Sequence, residues 1–179
     1  NVTLAATGGN ITDGGGNVLG TDVTLSGNLI GTSAARIDTQ VSGVLTTTSS
    51  AGGTYIQELA AGGSLTLGAM TATGGAIDVA TAAGNIAVNG AVSATGAGGN
   101  VTLAATGGNI TDGGGNVLGT DVTLSGNLIG TSAARIDTQV SGVLTTTSSA
   151  GGTYIQELAA GGSLTLGAMT ATGGAVDVA

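Results

Sequence analysis

The chain has no cysteine, no proline, no histidine and no lysine, and its only aromatic residues are Tyr55 and Tyr154. Without cysteine there is no disulfide scaffold, a composition compatible with export but not proof of it. Without histidine, cysteine or lysine the usual catalytic bases and nucleophiles are missing, so the chain is not expected to be an enzyme. Without large aromatics the interior must be narrow enough for small aliphatic side chains to fill. Arg36 and Arg135 stand alone against ten acidic residues, for a net charge of −8. No basic patch can form, which excludes nucleic acid as a partner and argues against anionic membrane surfaces. No apolar run approaches the length of a membrane span. No signal peptide is expected within this stretch, which does not open on Met. Asn1 falls inside a motif, so the chain is expected to be an excerpt of something longer.

Glycine, at 37 residues, is abundant, and alanine and threonine are frequent. Glycine-rich chains are often disordered, but here charge is low and Val, Ile and Leu recur at regular places. Collagen is excluded because glycine does not fall at every third position and proline is absent. Helix is disfavoured by the cost of interior glycine, about 1 kcal/mol each. The most helix-like stretch, "TYIQELAAGG", reads as a short turn or a strand.

The dominant signal is a repeat. Residues 1–80 recur as residues 100–179 with one change, Ile77 to Val176. The unit is therefore 99 residues, with 1–99 a whole copy and 100–179 an incomplete second copy. Such self-similarity marks a stacked architecture in which each unit contacts its neighbours. A finer period of apolar-x-apolar segments lies inside it: Val2-Thr3-Leu4, Val23-Thr24-Leu25, a third at Val44, Leu65-Thr66-Leu67 and Ile86-Ala87-Val88. The four steps from Val2 to Ile86 are equal, and a shorter one leads on to Val101. The expected unit is five coils averaging about 20 residues, the short fifth being a narrower Ala/Gly coil, and the segment holds about nine coils. At the third coil, Val44 and Leu45 are equally good inward residues, and a one-residue slip would reverse the faces. Three apolar points per coil, separated by glycine clusters suited to sharp corners, suggest three short strands. The fold expected is all-β, a single continuous parallel β-solenoid. Val2, Val23, Leu65, Ile86 and Val101 form an inward column; Thr3, Thr24, Thr66 and Thr102 face out. Coils about 4.8 Å apart would make a rod of roughly 43 Å.

"GGNVTLAATGGNITDGGGNVLGTDVTLSG" resembles the repeats of filamentous haemagglutinin-type adhesins, the large exoproteins of bacterial two-partner secretion. The likeness rests on Gly-(Asn/Asp/Ser)-apolar-Thr-Leu strands, on "GGNIT" corners and on the length of the coils, and it spans the whole chain. It implies a right-handed, three-sided β-helix and export across a Gram-negative outer membrane to the cell surface or beyond. It also implies a shaft that holds binding domains away from the cell. The partners expected are neighbouring repeat units of the same chain, with host or cell-surface glycan or protein bound through other domains, and lateral self-association. No cofactor is expected.

Each candidate site has a plainer structural explanation. Arg36 and Asp38 are two apart and would share a strand face as a surface salt bridge. Asp13, Asp22, Asp38, Glu58 and Asp78, with their copies, are the carboxylates that an enzyme reading would have to use. Asp13 and Asp22, with their copies Asp112 and Asp121, are the calcium candidates. They are nine apart, but the tandem calcium-binding nonapeptide pattern is not met, so solvated turns are expected. Thr46-Thr47-Thr48 and the outward threonines invite an ice-binding reading, which ordinary β-propensity answers. Tyr55 and Tyr154 read as corner packing rather than a carbohydrate platform. The expected function is a non-catalytic shaft. The alternative is a repetitive surface binding calcium, glycan or ice on outer Thr/Asp faces.

Overall fold

In the computed structural model, which describes residues 1–158 and 163–179, the chain is an all-β parallel solenoid of about eight turns with roughly 22 residues per turn. Among the described residues there is no helix; the "TYIQELAAGG" stretch begins with strand β6 (Thr54–Glu58), and residues 159–162, the end of its second copy, lie outside the described residues.

Two long parallel sheets face each other across one core. The first sheet runs β1 (Val2–Ala5), β3 (Val23–Gly27), β5 (Val44–Ser49) and β7 (Leu65–Ala72). It continues through β9 (Ile86–Val88), β10 (Val92–Ala94), β12 (Ile110–Asp112), β13 (Asn116–Gly119), β15 (Ile136–Val140), β17 (Thr153–Glu157) and β19 (Val176–Val178). The second sheet runs β2 (Asn17–Gly20), β4 (Ile37–Val41), β6, β8 (Ile77–Thr81), β11 (Val101–Ala105), β14 (Val122–Gly126), β16 (Val143–Ser148) and β18 (Thr165–Ala171). The third apolar point of a coil builds no third long sheet. It makes a row of single bridges, Ile11 to Ile30 to Thr54, repeated as Ile110 to Ile129 to Thr153.

The strands inside the stack alternate buried residues, mostly aliphatic, with side chains turned outward, as half-buried strands must. Val23, Leu25, Leu45, Leu65, Leu67, Ile77, Ile86 and Val101 are fully buried. Gaps between coils are closed at corners where glycine alone fits. A Cβ added to Gly75 would sit 2.6 Å from the backbone nitrogen of Gly53 on the neighbouring coil. Gly31 has φ of 64°, and a Cβ there would lie 2.7 Å from the Tyr55 carbonyl oxygen.

The expected inward column holds in part. Val2 pairs with Val23, and Leu65 with Ile86. At the third coil the phase is set by Leu45, which Val23 pairs with, while Val44 faces outward beside Thr66. Val101 does not follow Ile86. It pairs with Ile77 on the second sheet, and Ile86 passes instead to Ile110. The short step from Ile86 to Val101 is therefore no narrow coil: it carries the chain from one sheet to the other. The physical reason is arithmetic. A unit of 99 residues wound at roughly 22 per turn is four and a half turns. The strands β1, β3, β5 and β7 of the first copy lie in the first sheet, and their copies β11, β14, β16 and β18 lie in the second. The same sequence thus appears on opposite sides of the rod in successive copies.

Two of the buried side chains, Thr47 and Thr146, have hydroxyls with no hydrogen-bond partner. Thr47 stacks between Leu25 and Met70 inside the core. Replacing Thr47 and Thr146 by valine removes two unpartnered hydroxyls at nearly constant shape. It should stabilise the chain by about 1 kcal/mol each, read as a higher urea midpoint. The half-turn offset is tested by cross-linking. Ala80 is opposite Ala104 in the ladder. An Ala80→Cys/Ala104→Cys pair should oxidise to an intramolecular disulfide, since neighbouring strands lie within disulfide reach. Ala87→Cys/Thr102→Cys, the pair a straight five-coil stack would align, should not.

Candidate functional site

The chemistry-bearing side chains are few, and most of them serve the coil. Arg36 does not pair with Asp38. Asp38 lies on β4 with Asn17 and Gln57 as its ladder neighbours. The Arg36 side chain instead runs along the solenoid axis to Asp78, with Nη2 2.5 Å from Asp78 Oδ2. Nη1 also donates to the Ile56 carbonyl at 3.1 Å. The copy repeats this at Arg135 and Asp177, 2.6 Å apart. Lying along the axis, an extended arginine meets backbone carbonyls of the coils it crosses, acceptors that a path along its own strand would not offer. The pair therefore ties three successive coils rather than decorating one. Asp177 is held below the usual carboxylate range by its hydrogen bond from Arg135. Tyr55 is half-buried, its ring lying over Gly53, which matches the corner-packing expectation.

The calcium candidates are separate turn residues. Asp13 Oδ1 accepts from the Gly15 N–H at 3.1 Å, and Asp112 Oδ1 from the Gly114 N–H at 2.9 Å. Asp22 Oδ1 accepts from the Val44 N–H on the next coil at 3.0 Å, and Asp121 Oδ1 from Val143 at 2.9 Å. Among the described residues no group of three or more acidic side chains converges.

Glu58 is the residue whose position sequence reasoning misses. It faces the core and is fully buried. Its Oε2 accepts from the Thr39 hydroxyl at 2.5 Å and its Oε1 from the Val41 N–H at 2.7 Å. Thr138 and Val140 give Glu157 the same two bonds, at 2.6 and 2.8 Å. A signal exists: Ile56 points in, and strand period two then turns Glu58 inward as well. Burial pushes the Glu58 carboxyl above its ordinary value, against the opposing pull of the Thr39 and Val41 hydrogen bonds. Among the described residues no cation pairs with it, and Gly62 packs so closely that a Cβ there would overlap the carboxylate.

A shallow surface groove is present in both copies. In the first it has a volume of about 190 Å³ and is lined by Thr7, Ser26, Asn28, Thr48 and Ser50 among small neighbours. In the second it has about 210 Å³ and the equivalent lining, Thr106, Ser125, Asn127, Thr147 and Ser149. Ser26, Thr48, Thr71 and Ser93 are successive ladder partners, so hydroxyls run along the axis beside the first groove. Ala87 does not interrupt them, because its ladder partners are Thr66 and Thr111. No family model, no curated protein and no solved structure matches the chain.

Glu58 makes stability depend on pH with a definite sign. Its folded carboxyl binds a proton more tightly than the unfolded one. Its contribution is therefore full below the ordinary carboxylate range and is lost as pH rises through the raised folded value. Glu58→Gln keeps one acceptor for the Val41 N–H and removes the titration. Relative to the unaltered chain, the variant should gain stability as pH rises from about 4 to about 7, measured as the difference between the two urea midpoints at each pH.

Proposed function

We propose that the chain is a length of stiff, non-catalytic shaft from a long repetitive adhesin or filament at the bacterial surface or secreted from it. The observation that carries this reading is the junction between the copies. There β8 pairs with β11 over five consecutive residues, Ile77 with Val101 through Thr81 with Ala105, as continuously as strands pair inside a copy. A unit that joins the next without a seam can be added indefinitely, and a solenoid of nearest-neighbour contacts is a spacer by construction. The resemblance of the Gly-Asn-apolar-Thr-Leu strands to filamentous haemagglutinin-type repeats supplies the adhesin and secretion parts of the proposal. In this reading, glycan or protein on a host or cell surface is bound by other domains, and the shaft sets their distance. Chains lengthened by whole 99-residue units should appear by electron microscopy as thin unbranched rods. They should grow by about 22 Å per unit, four and a half strand spacings. Compact particles, or rods of constant length, would overturn it.

A second reading, a repetitive binding surface for calcium, glycan or ice, is favoured by the identically lined groove in each copy. Titrating calcium while following thermal unfolding separates the metal version. A shaft needs no shift in Tm, whereas a site using Asp13 or Asp22 would raise Tm with calcium concentration.

A further inference from the structure

Glu58 lies under a turn. Strand β6 ends at Glu58, and residues 59–64 round the corner before β7 begins at Leu65. The Leu59 N–H still joins the ladder, donating to the Thr39 carbonyl at 2.9 Å. Beyond it, the Gly62 and Gly63 N–H groups donate only within the turn, to the Leu59 and Ala60 carbonyls at 2.8 and 3.2 Å. Among the described residues, no backbone bond ties residues 60–63 to a neighbouring coil. Ala60 and Ala61 are exposed, while Gly62 folds back over the carboxylate and the Gln40 backbone. The carboxyl is thus covered by a turn of small residues that the ladder does not hold.

We propose that residues 59–63 are a pH-operated lid, closed over Glu58 while its carboxyl is protonated and unwound to hydrate it once it ionises. The driving force is solvation. A carboxylate with two donors and no cation gains more from reaching water than the neutral acid does. A loss of global stability near neutral pH does not say where the coil gives way; the bonding pattern does. Unwinding the turn leaves the ladder bonds of Leu59 and Leu65 in place, so it is the local opening that breaks fewest contacts. No other charge competes for control of the lid. The ladder neighbours of Glu58 are Thr39 on β4 and Thr81 on β8. Asp38 and Tyr55 occupy outward positions of their strands, and Asp78 is paired to Arg36. The strands β3, β5 and β7 of the facing sheet, the lid itself and residues 82–84 of the next coil contain no titratable residue. Asp22, at the corner two coils earlier, is turned to the Val44 N–H. Linkage fixes the direction. The closed carboxyl binds its proton more tightly than an ordinary one, and the hydrated open one does not, so opening grows with pH. The opening equilibrium climbs about tenfold per pH unit between the ordinary carboxylate value and the raised one, then levels off. The inference rests on the geometry of this coil and stands whether or not the chain is a shaft.

The test is amide hydrogen exchange at Gly62 and Gly63 from about pH 4 to about pH 8, in the unaltered chain and in Glu58→Gln. Dividing the two rates at each pH removes the intrinsic pH dependence of exchange. The ratio should climb about tenfold per pH unit and then reach a plateau, while the β8 amides from Ile77 to Thr81 keep a constant ratio. A flat ratio at Gly62 and Gly63 would overturn the proposal, because the carboxyl then titrates under a closed turn or not at all. An equal climb along β8 would also overturn it, because the whole coil then opens. Should Glu58→Gln fail to fold, a nitroxide on Ala60→Cys reads the lid with Glu58 in place, since the chain has no other cysteine. Its spectrum should sharpen as pH rises, and the same label on Ala34→Cys, at an exposed corner without a buried carboxyl, should not change. No sharpening at residue 60, or equal sharpening at both positions, would sink the lid.

Discussion

Every coil satisfies its backbone N–H and C=O groups on the coils before and after it, and the rest of the molecule follows from that dependence. The Ile77 N–H donates to the Asn100 carbonyl and the Ile86 N–H to the Asn109 carbonyl, each bond joining groups a full coil apart in the sequence. A strand here cannot be stable alone, and its register is inherited from its neighbour. This is why glycine is needed at tight corners such as Gly53 and Gly75. A single added methyl would hold two coils apart and break the ladder for everything stacked beyond it. It is also why a core without Phe or Trp suffices. The space between sheets is set by backbone geometry, and Val, Leu and Ile from two facing strands fill it.

Much of this is legible in the sequence, and the parts that are not share one cause. Val2 over Val23 and Leu65 over Ile86 can be read because a glycine-bounded apolar-x-apolar segment recurs at constant spacing. The failures are places where proximity along the chain stands in for proximity in space. Val101 resembles Ile86 and follows it after less than one coil, so the step ends on the other sheet. Arg36 reads as a partner for Asp38 on its own strand, while the coil brings Asp78 to it from far along the chain. The third-coil ambiguity between Val44 and Leu45 has no local solution, because both are aliphatic. It is the pairing of Val23 with Leu45 that decides it.

Glu58 is a failure of another kind. Its inward direction follows from the alternation in Tyr55-Ile56-Gln57-Glu58, but composition argues that a carboxylate belongs outside. The fold overrides composition by supplying the Thr39 hydroxyl and the Val41 N–H, both from the preceding coil. Two donors without a cation only partly replace water, so the carboxyl is left easier to protonate than usual. The interior thus tolerates the Glu58 carboxyl with some loss of stability near neutral pH.

Near-identity between the copies coexists with a half-turn of rotation because the rotation changes almost nothing a strand can sense. β3 has β1 and β5 as neighbours; its copy β14 has β11 and β16, which are the same sequences. The burial of "VTLSG" is accordingly the same in both, although one strand belongs to each sheet. Nearest-neighbour contacts travel with the unit, and only the junction is new. What sets the rotation is the stretch of residues 81–99, which makes one pass through the first sheet as β9 and β10 before the chain rejoins the second sheet as β11. One pass is half a turn. A link longer or shorter by about half a coil would place every unit in the same orientation. The length of a segment that contributes only two short strands therefore governs whether successive units face the same way or opposite ways.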